Sequence, residues 1–339
     1  MPQASYIYAN ARVGVAQTRL LTLERINRLQ EAKNADEALR VLVEVGYGGN
    51  KEVQSAFDFQ QLINEELKKA YDFIYEITPN KEVTDLFLVQ FDYHNIKALI
   101  KNRLLDLEDD TQLFMVGTEP VDKIKAAVRD RDYRSLPKHL AKTLDALDQK
   151  LAGRINPQAL DTFVDQAMFR YIFEVMDAPE FEKHVKKVPF LSDYFEALCD
   201  FANVITFLRA RSAKLTREAF AALLMTDRNV SRHALLEAYD QPLEGIGRLL
   251  ASGAAASYIS RGLDKYLESG STAQMERLRD DFLLDLVKRH KNNTFGIEPV
   301  IGYILAREQE ARVVRLVMTA KLNNIPADVV QERVRELYV

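Results

Sequence analysis

Apolar positions along this chain recur with the 3.6-residue period of a helix, and no sustained two-residue alternation bounded by hairpin turns interrupts them. The pattern predicts a protein built from helices. A long first helix runs from Tyr6 to Leu29, and Asn34-Ala-Asp-Glu37 resembles a capping box opening a second that Gly46 ends. Asp58 is placed to cap a third, which stops before Pro79. Helices then follow over 81–105, from Pro120, from the cap pair Asn156-Pro157, and over 192–214, 216–225 and 231–239. Ser271-Thr-Ala-Gln274 opens a helix running to about His290, Pro299 opens another that ends near Asn323-Asn324, and Pro326 starts an apolar-sided terminal helix with Val329, Val330 and Val334.

One stretch repeats. From Asp92, Asn95 stands at +3, Ile96, Leu99 and Ile100 at +4, +7 and +8, and Arg103 at +11. The order returns at Asp200 with Asn203, Val204, Phe207, Leu208 and Arg211, and at Glu310 with Val314, Val317, Met318 and Lys321, where Val313 replaces the Asn. The acids are 108 and 110 residues apart in a chain of 339. Three similar units are therefore expected, over 1–133, 134–240 and 241–339. Short linkers argue that they pack together, either in a row or around an axis. At 100° per residue the acid, +3, +7 and +11 share one stripe, yet acid and base lie about 16 Å apart along the helix. They cannot pair with each other. A lone acid or base is usually a solvated surface charge, but recurrence at even spacing marks Asp92, Asn95, Arg103, Asp200, Asn203, Arg211, Glu310 and Lys321 as candidates for structural or partner contacts.

Composition narrows the function classes. A net charge of −4 gives no support for a nucleic-acid binder. The single cysteine, Cys199, sits among apolar residues and reads as a buried structural thiol. The longest charge-free run, Leu249 to Ser260, is too short to span a bilayer, and no signal peptide is expected at the N-terminus, so the expectation is a cytoplasmic protein with a peripheral membrane seat open to it. No catalytic site, no cofactor, no nucleotide and no metal is expected. There is no phosphate loop, and Gly245-Ile-Gly247 lacks the third glycine of a dinucleotide fingerprint. The five histidines are scattered, and the acids Asp280, Asp281 and Asp285 stand beside Arg277 and Arg279 as on an ordinary charged helix face. Ala251 to Ser257, rich in small residues, reads equally as a close helix contact or a flexible connection.

Tyr6-Ile-Tyr8-Ala9-Asn-Ala11-Arg12 with Leu20-Leu21, the run Asp92 to Lys101, and Ala306-Arg307-Glu308-Gln-Glu310 through Lys321-Leu-Asn323 together carry a family resemblance. The chain resembles the C subunits of the V/A-type rotary ATPases, the counterparts of the eukaryotic d subunit. The similarity covers the whole chain, with Val313 departing from a position where the family commonly has a polar residue. The resemblance implies an all-α, funnel-shaped protein of three units about a pseudo-threefold axis. It also implies a non-catalytic rotor part at the cytoplasmic face of the membrane, between the central shaft and the proteolipid ring. The alternative is a helical-repeat adaptor presenting an open groove to protein partners. A metal-dependent helical enzyme using the acids near Asp280 stands third.

Overall fold

Among the described residues of the computed structural model (6–49, 53–151, 157–181, 188–244, 246–250 and 252–326) the regular structure is entirely helical. The helices are α1 (Ile7–Gln17), α2 (Leu23–Glu31), α3 (Ala35–Glu44), α4 (Phe59–Ile77), α5 (Lys81–Leu105), α6 (Val121–Asp130), α7 (Lys138–Leu151) and α8 (Pro157–Met176). They continue with α9 (Pro189–Ser212), α10 (Arg217–Leu223), α11 (Arg232–Ala238), α12 (Gly247–Leu250), α13 (Ala256–Ser269), α14 (Ala273–His290) and α15 (Glu298–Leu322). Among the described residues no helix is long and apolar enough to cross a membrane. Asn156, Gly245, Ala251 and the terminal segment with Val329, Val330 and Val334 lie outside the described residues.

The chain divides into two compact units, one of 1–88, 110–121 and 287–339, the other of 89–109 and 122–286. In the first, α15 runs through the core. It is buried from Glu298 to Ala320 on several sides, against α4, α1 and α3. In the second, α9 has the corresponding role, with Phe190, Phe195, Phe201, Phe207 and Val204 fully enclosed. Phe207 meets Phe220 of α10 edge-on at 5.7 Å, and Phe220 stacks on Tyr239 at 4.4 Å.

The expected first helix is two helices. The chain breaks after Gln17 and restarts with Thr22 as N-cap, its side-chain oxygen accepting from the Arg25 N–H. Leu20 and Leu21 are buried at the break, and the Leu21 N–H is given to the Glu310 carboxylate rather than to a preceding helical carbonyl. The apolar pattern runs unbroken through this point because a buried corner and a helix face both require leucine. The cap expected of Asp58 is absent, since its side chain accepts no N–H at the start of α4 and Ser55 caps the short turn before it instead. Asn34, Thr216 and Ser231 each accept the N–H three residues on, as N-caps do.

The long repeated helices end alike. Asp106, Lys214 and Asn324, each fourteen residues after its acid, all have φ of +53°. The next N–H in each case reaches back to a carbonyl five residues earlier, Leu107 to Asn102, Leu215 to Ala210 and Ile325 to Ala320, at 2.9–3.0 Å. This is the Schellman closure, with an apolar residue following the left-handed one.

Candidate functional site: the buried acids and bases

The apolar members of the repeated stripe are in the core: Ile96, Leu99, Ile100, Val204, Phe207, Leu208, Val314, Val317 and Met318 are all buried. So are the acids Asp92, Asp200 and Glu310, and both Asn95 and Asn203. A carboxylate in such a place needs donors, because an unpaired buried charge costs several kcal/mol.

Asp200 finds its donors at the entrance to α11. Its Oδ1 accepts the Val230 N–H at 2.9 Å, and Oδ2 accepts from the Asn229 amide at 3.2 Å. Asn203, one turn on, accepts the Met225 N–H at 2.7 Å. Arg211, three turns from the acid, donates to the carbonyls of Ala238 and Gln241 at the far end of the same short helix. Acid and base thus bracket α11, with negative charge at its N-terminal approach and positive charge at its C-terminus, the arrangement a helix dipole favours.

The third copy repeats the arrangement with a segment from the other end of the chain. Glu310 accepts the Leu21 N–H, just before the N-cap of α2. Lys321 donates to Gln30 O at 2.7 Å and Ala32 O at 2.5 Å, where α2 ends. The helix bracketed by α15 is therefore α2. Arg307 reinforces the site, bonding Glu310 at 2.8 Å and Arg19 O at 3.4 Å, with Glu66 of α4 at 3.4 Å. In the first copy, Arg103 donates to Val128 O near the C-terminus of α6 at 3.1 Å. It also donates to the Tyr133 hydroxyl and pairs with Asp148, which accepts in turn from that hydroxyl at 2.6 Å. Asp92 and Asn95 are buried further back along α5, two to three turns before Arg103.

Burial shifts the acids upward. Asp200 is pushed up to about 6 by burial, against the pull of the Val230 N–H and the Asn229 amide. Glu310 is pushed up to about 7 by burial, against the opposing charge of Arg307. Cys199 is buried, its thiol pushed well up by burial and directed at Thr226 O at 3.2 Å, in keeping with a structural role.

A second set of contacts was not read from the sequence. On α5, Lys97 and Lys101 pair with Asp165 and Asp161 of α8. On α9, Arg209 pairs with Glu276 of α14 at 2.7 Å. On α15, Arg315 donates to Gln60 of α4 at 3.0 Å, and Glu308 accepts from Tyr71 of α4. Lys101 and Arg209 both stand nine residues after their acid, and that shared offset was the available signal. Asp280, Asp281 and Asp285 do not converge: Asp280 is bound to Arg279, Asp281 lies 3.9 Å from Arg277, and Asp285 accepts from Tyr258. Among the described residues no group of three His, Cys, Asp or Glu side chains could hold a metal ion.

The ATP synthase (C/AC39) subunit family model matches residues 9–333. The chain is similar to the A-type ATP synthase C subunit of Methanocaldococcus jannaschii, 22% identical over 99% of this chain and 86% of the relative. It is similar to that of Pyrococcus abyssi, 21% identical over 98% and 90%. The V-type sodium ATPase C subunit of Enterococcus hirae is 19% identical over 83% of each chain. The chain belongs to the ATP synthase (C/AC39) subunit family and is a non-catalytic structural subunit of a rotary ATPase.

Proposed function

We propose that the chain is the rotor socket of its complex, joining the central shaft to the membrane proteolipid ring at the cytoplasmic face. Its three units, 1–133, 134–240 and 241–339, form a funnel about a pseudo-threefold axis that receives the shaft tip, while the narrow end rests on the ring. The repeated acids and bases hold the short helices α6, α11 and α2 in register rather than touching partners.

The observation that carries this reading is the family match over residues 9–333. Within the compact units, α5 pairs with α8 and α9 with α14, while α15 bonds to α4 and α2. Each repeated helix is thus tied to another third of the chain, as three packed units require.

Such a socket transmits torque and takes no part in bond making, so its loss should disconnect hydrolysis from transport. The test is reconstitution of the complex in vesicles with and without this protein, measuring ATP hydrolysis and ion uptake together. Hydrolysis by the soluble headpiece should persist and coupled ion uptake should vanish. Full ion pumping in its absence would overturn the reading.

A further inference from the structure

α1 buries Ala9 and Val13 and turns its opposite side outward. That outer side carries Ile7, Tyr8, Ala11, Gly14, Val15 and Thr18, an arc of roughly 120° without a charge. Ile7 is 47% exposed, Tyr8 62% and Val15 66%. The loop after α14 is fastened to the edge of this arc, because the Asn10 amide donates to Thr294 O at 2.8 Å and Gly296 O at 2.9 Å. Between those two carbonyls stands Phe295, 70% exposed. The residues leading into the loop are Lys288-Arg-His-Lys291, of which Arg289 and Lys291 are exposed. One exposed acid, Asp285, precedes the run a turn before Arg289 and accepts from the Tyr258 hydroxyl, and none follows it before Glu298, so the segment keeps a cationic excess. The flanking Glu298 is buried and accepts from Asn293 at 3.1 Å. At the other edge of the arc, Arg12 lies 3.7 Å from Glu76.

An exposed apolar face with an aromatic at its rim is a docking surface, and the charge beside it selects the occupant. A run of cations next to tyrosine and phenylalanine suits a surface that is anionic at headgroup level and apolar just beneath. We infer that the α1 face, Phe295 and the Lys288–Lys291 run form a docking surface for an anionic lipid membrane. Phe295 and Tyr8 enter the headgroup boundary, and Arg289 and Lys291 meet the lipid phosphates. The inference goes beyond the socket reading, which names only protein neighbours, and it is tested on the purified full-length chain alone.

The experiment is cosedimentation with phosphatidylcholine vesicles and with mixed phosphatidylcholine–phosphatidylglycerol vesicles at two salt concentrations. Binding is expected to the anionic vesicles, weakened by salt. The double variant R289Q/K291Q should bind them at least about 10-fold more weakly, each cation contributing about a fivefold factor. F295S should weaken binding at unchanged salt dependence, and K265Q, an exposed cation on α13, should leave it unchanged. Thermal melting of each variant verifies the fold. No binding to anionic vesicles, equal binding to neutral ones, or equal effects of R289Q/K291Q and K265Q would overturn the inference. None of these results bears on coupling in the reconstituted complex, so the two proposals fail separately.

Discussion

Asp200 and Glu310 are held in the core by backbone N–H groups, and their titration follows from that position. At both sites the native state holds its proton more tightly than an unfolded chain would. Each therefore favours the fold at pH below the ordinary carboxylate range, and that contribution is lost as pH rises toward about 6 at Asp200 and about 7 at Glu310. For Asp200 the loss amounts to about 3 kcal/mol. The stability difference between wild type and D200N, followed by denaturant unfolding from about pH 4 to pH 7, should carry this slope, with wild type declining more. A flat difference would mean that Asp200 titrates normally. The E310A variant removes the partner of Arg307, which is 7% exposed, and strands the Leu21 N–H, so it should cost about 3–5 kcal/mol. Arg307 keeps Glu66, which sets the lower end of that range. Amide exchange would locate the effect: the Leu21 N–H should be strongly protected in wild type and exchange quickly in E310A.

Among the elements, the three long helices share a terminus whose chemistry is not the usual one. Asp106, Lys214 and Asn324 occupy left-handed positions that glycine fills at least cost, and a side chain there is disfavoured by about 1–2 kcal/mol. Replacing Lys214 by Gly should therefore raise stability by about 0.5–1 kcal/mol, and replacing Asn324 by less, since Asn tolerates this conformation. Chemical denaturation of the two variants would compare them directly, and a destabilised K214G would show that the lysine side chain makes a compensating contact. The short helices depend on their brackets more than on their own length. α11 has seven residues, too few to persist alone in water, so its register rests on Ser231, Asp200 and Arg211.

For the molecule as a whole, the position of α2 is the decisive feature. It is the second helix of the chain, yet its two ends are held by Glu310 and Lys321, nearly 290 residues away. Deleting residues 1–32 should consequently damage the C-terminal helix α15 as well, exposing its buried face and leaving Glu310 without the Leu21 N–H. The truncated chain should lose cooperative melting, as read by circular dichroism, whereas removing a helix with only local contacts would merely lower the midpoint.

Much of this was legible in the chain itself. The helical period, the long helices over 81–105 and near 298–322, the cap at Asn34 and the helix starts near Thr216 and Ser231 follow from local chemistry, because a cap or a proline acts on its neighbours within one turn. Even the candidate residues were visible, since an acid and a base recurring eleven residues apart on an apolar stripe can be counted without a structure. What they touch could not be read. A carboxylate that accepts a backbone N–H leaves no mark on its partner, because every residue but proline has that donor. Leu21 and Val230 are ordinary apolar residues, and no spacing rule links either to its acid. The break at Thr18–Thr22 was hidden for a related reason: a buried corner needs the same leucines as a helix face. The left-handed ends were hidden because Asp106, Lys214 and Asn324 are not glycines. Local pattern determined which segments are helices and which positions face inward, and only the tertiary structure decided that the start of the chain completes the bracket at its end.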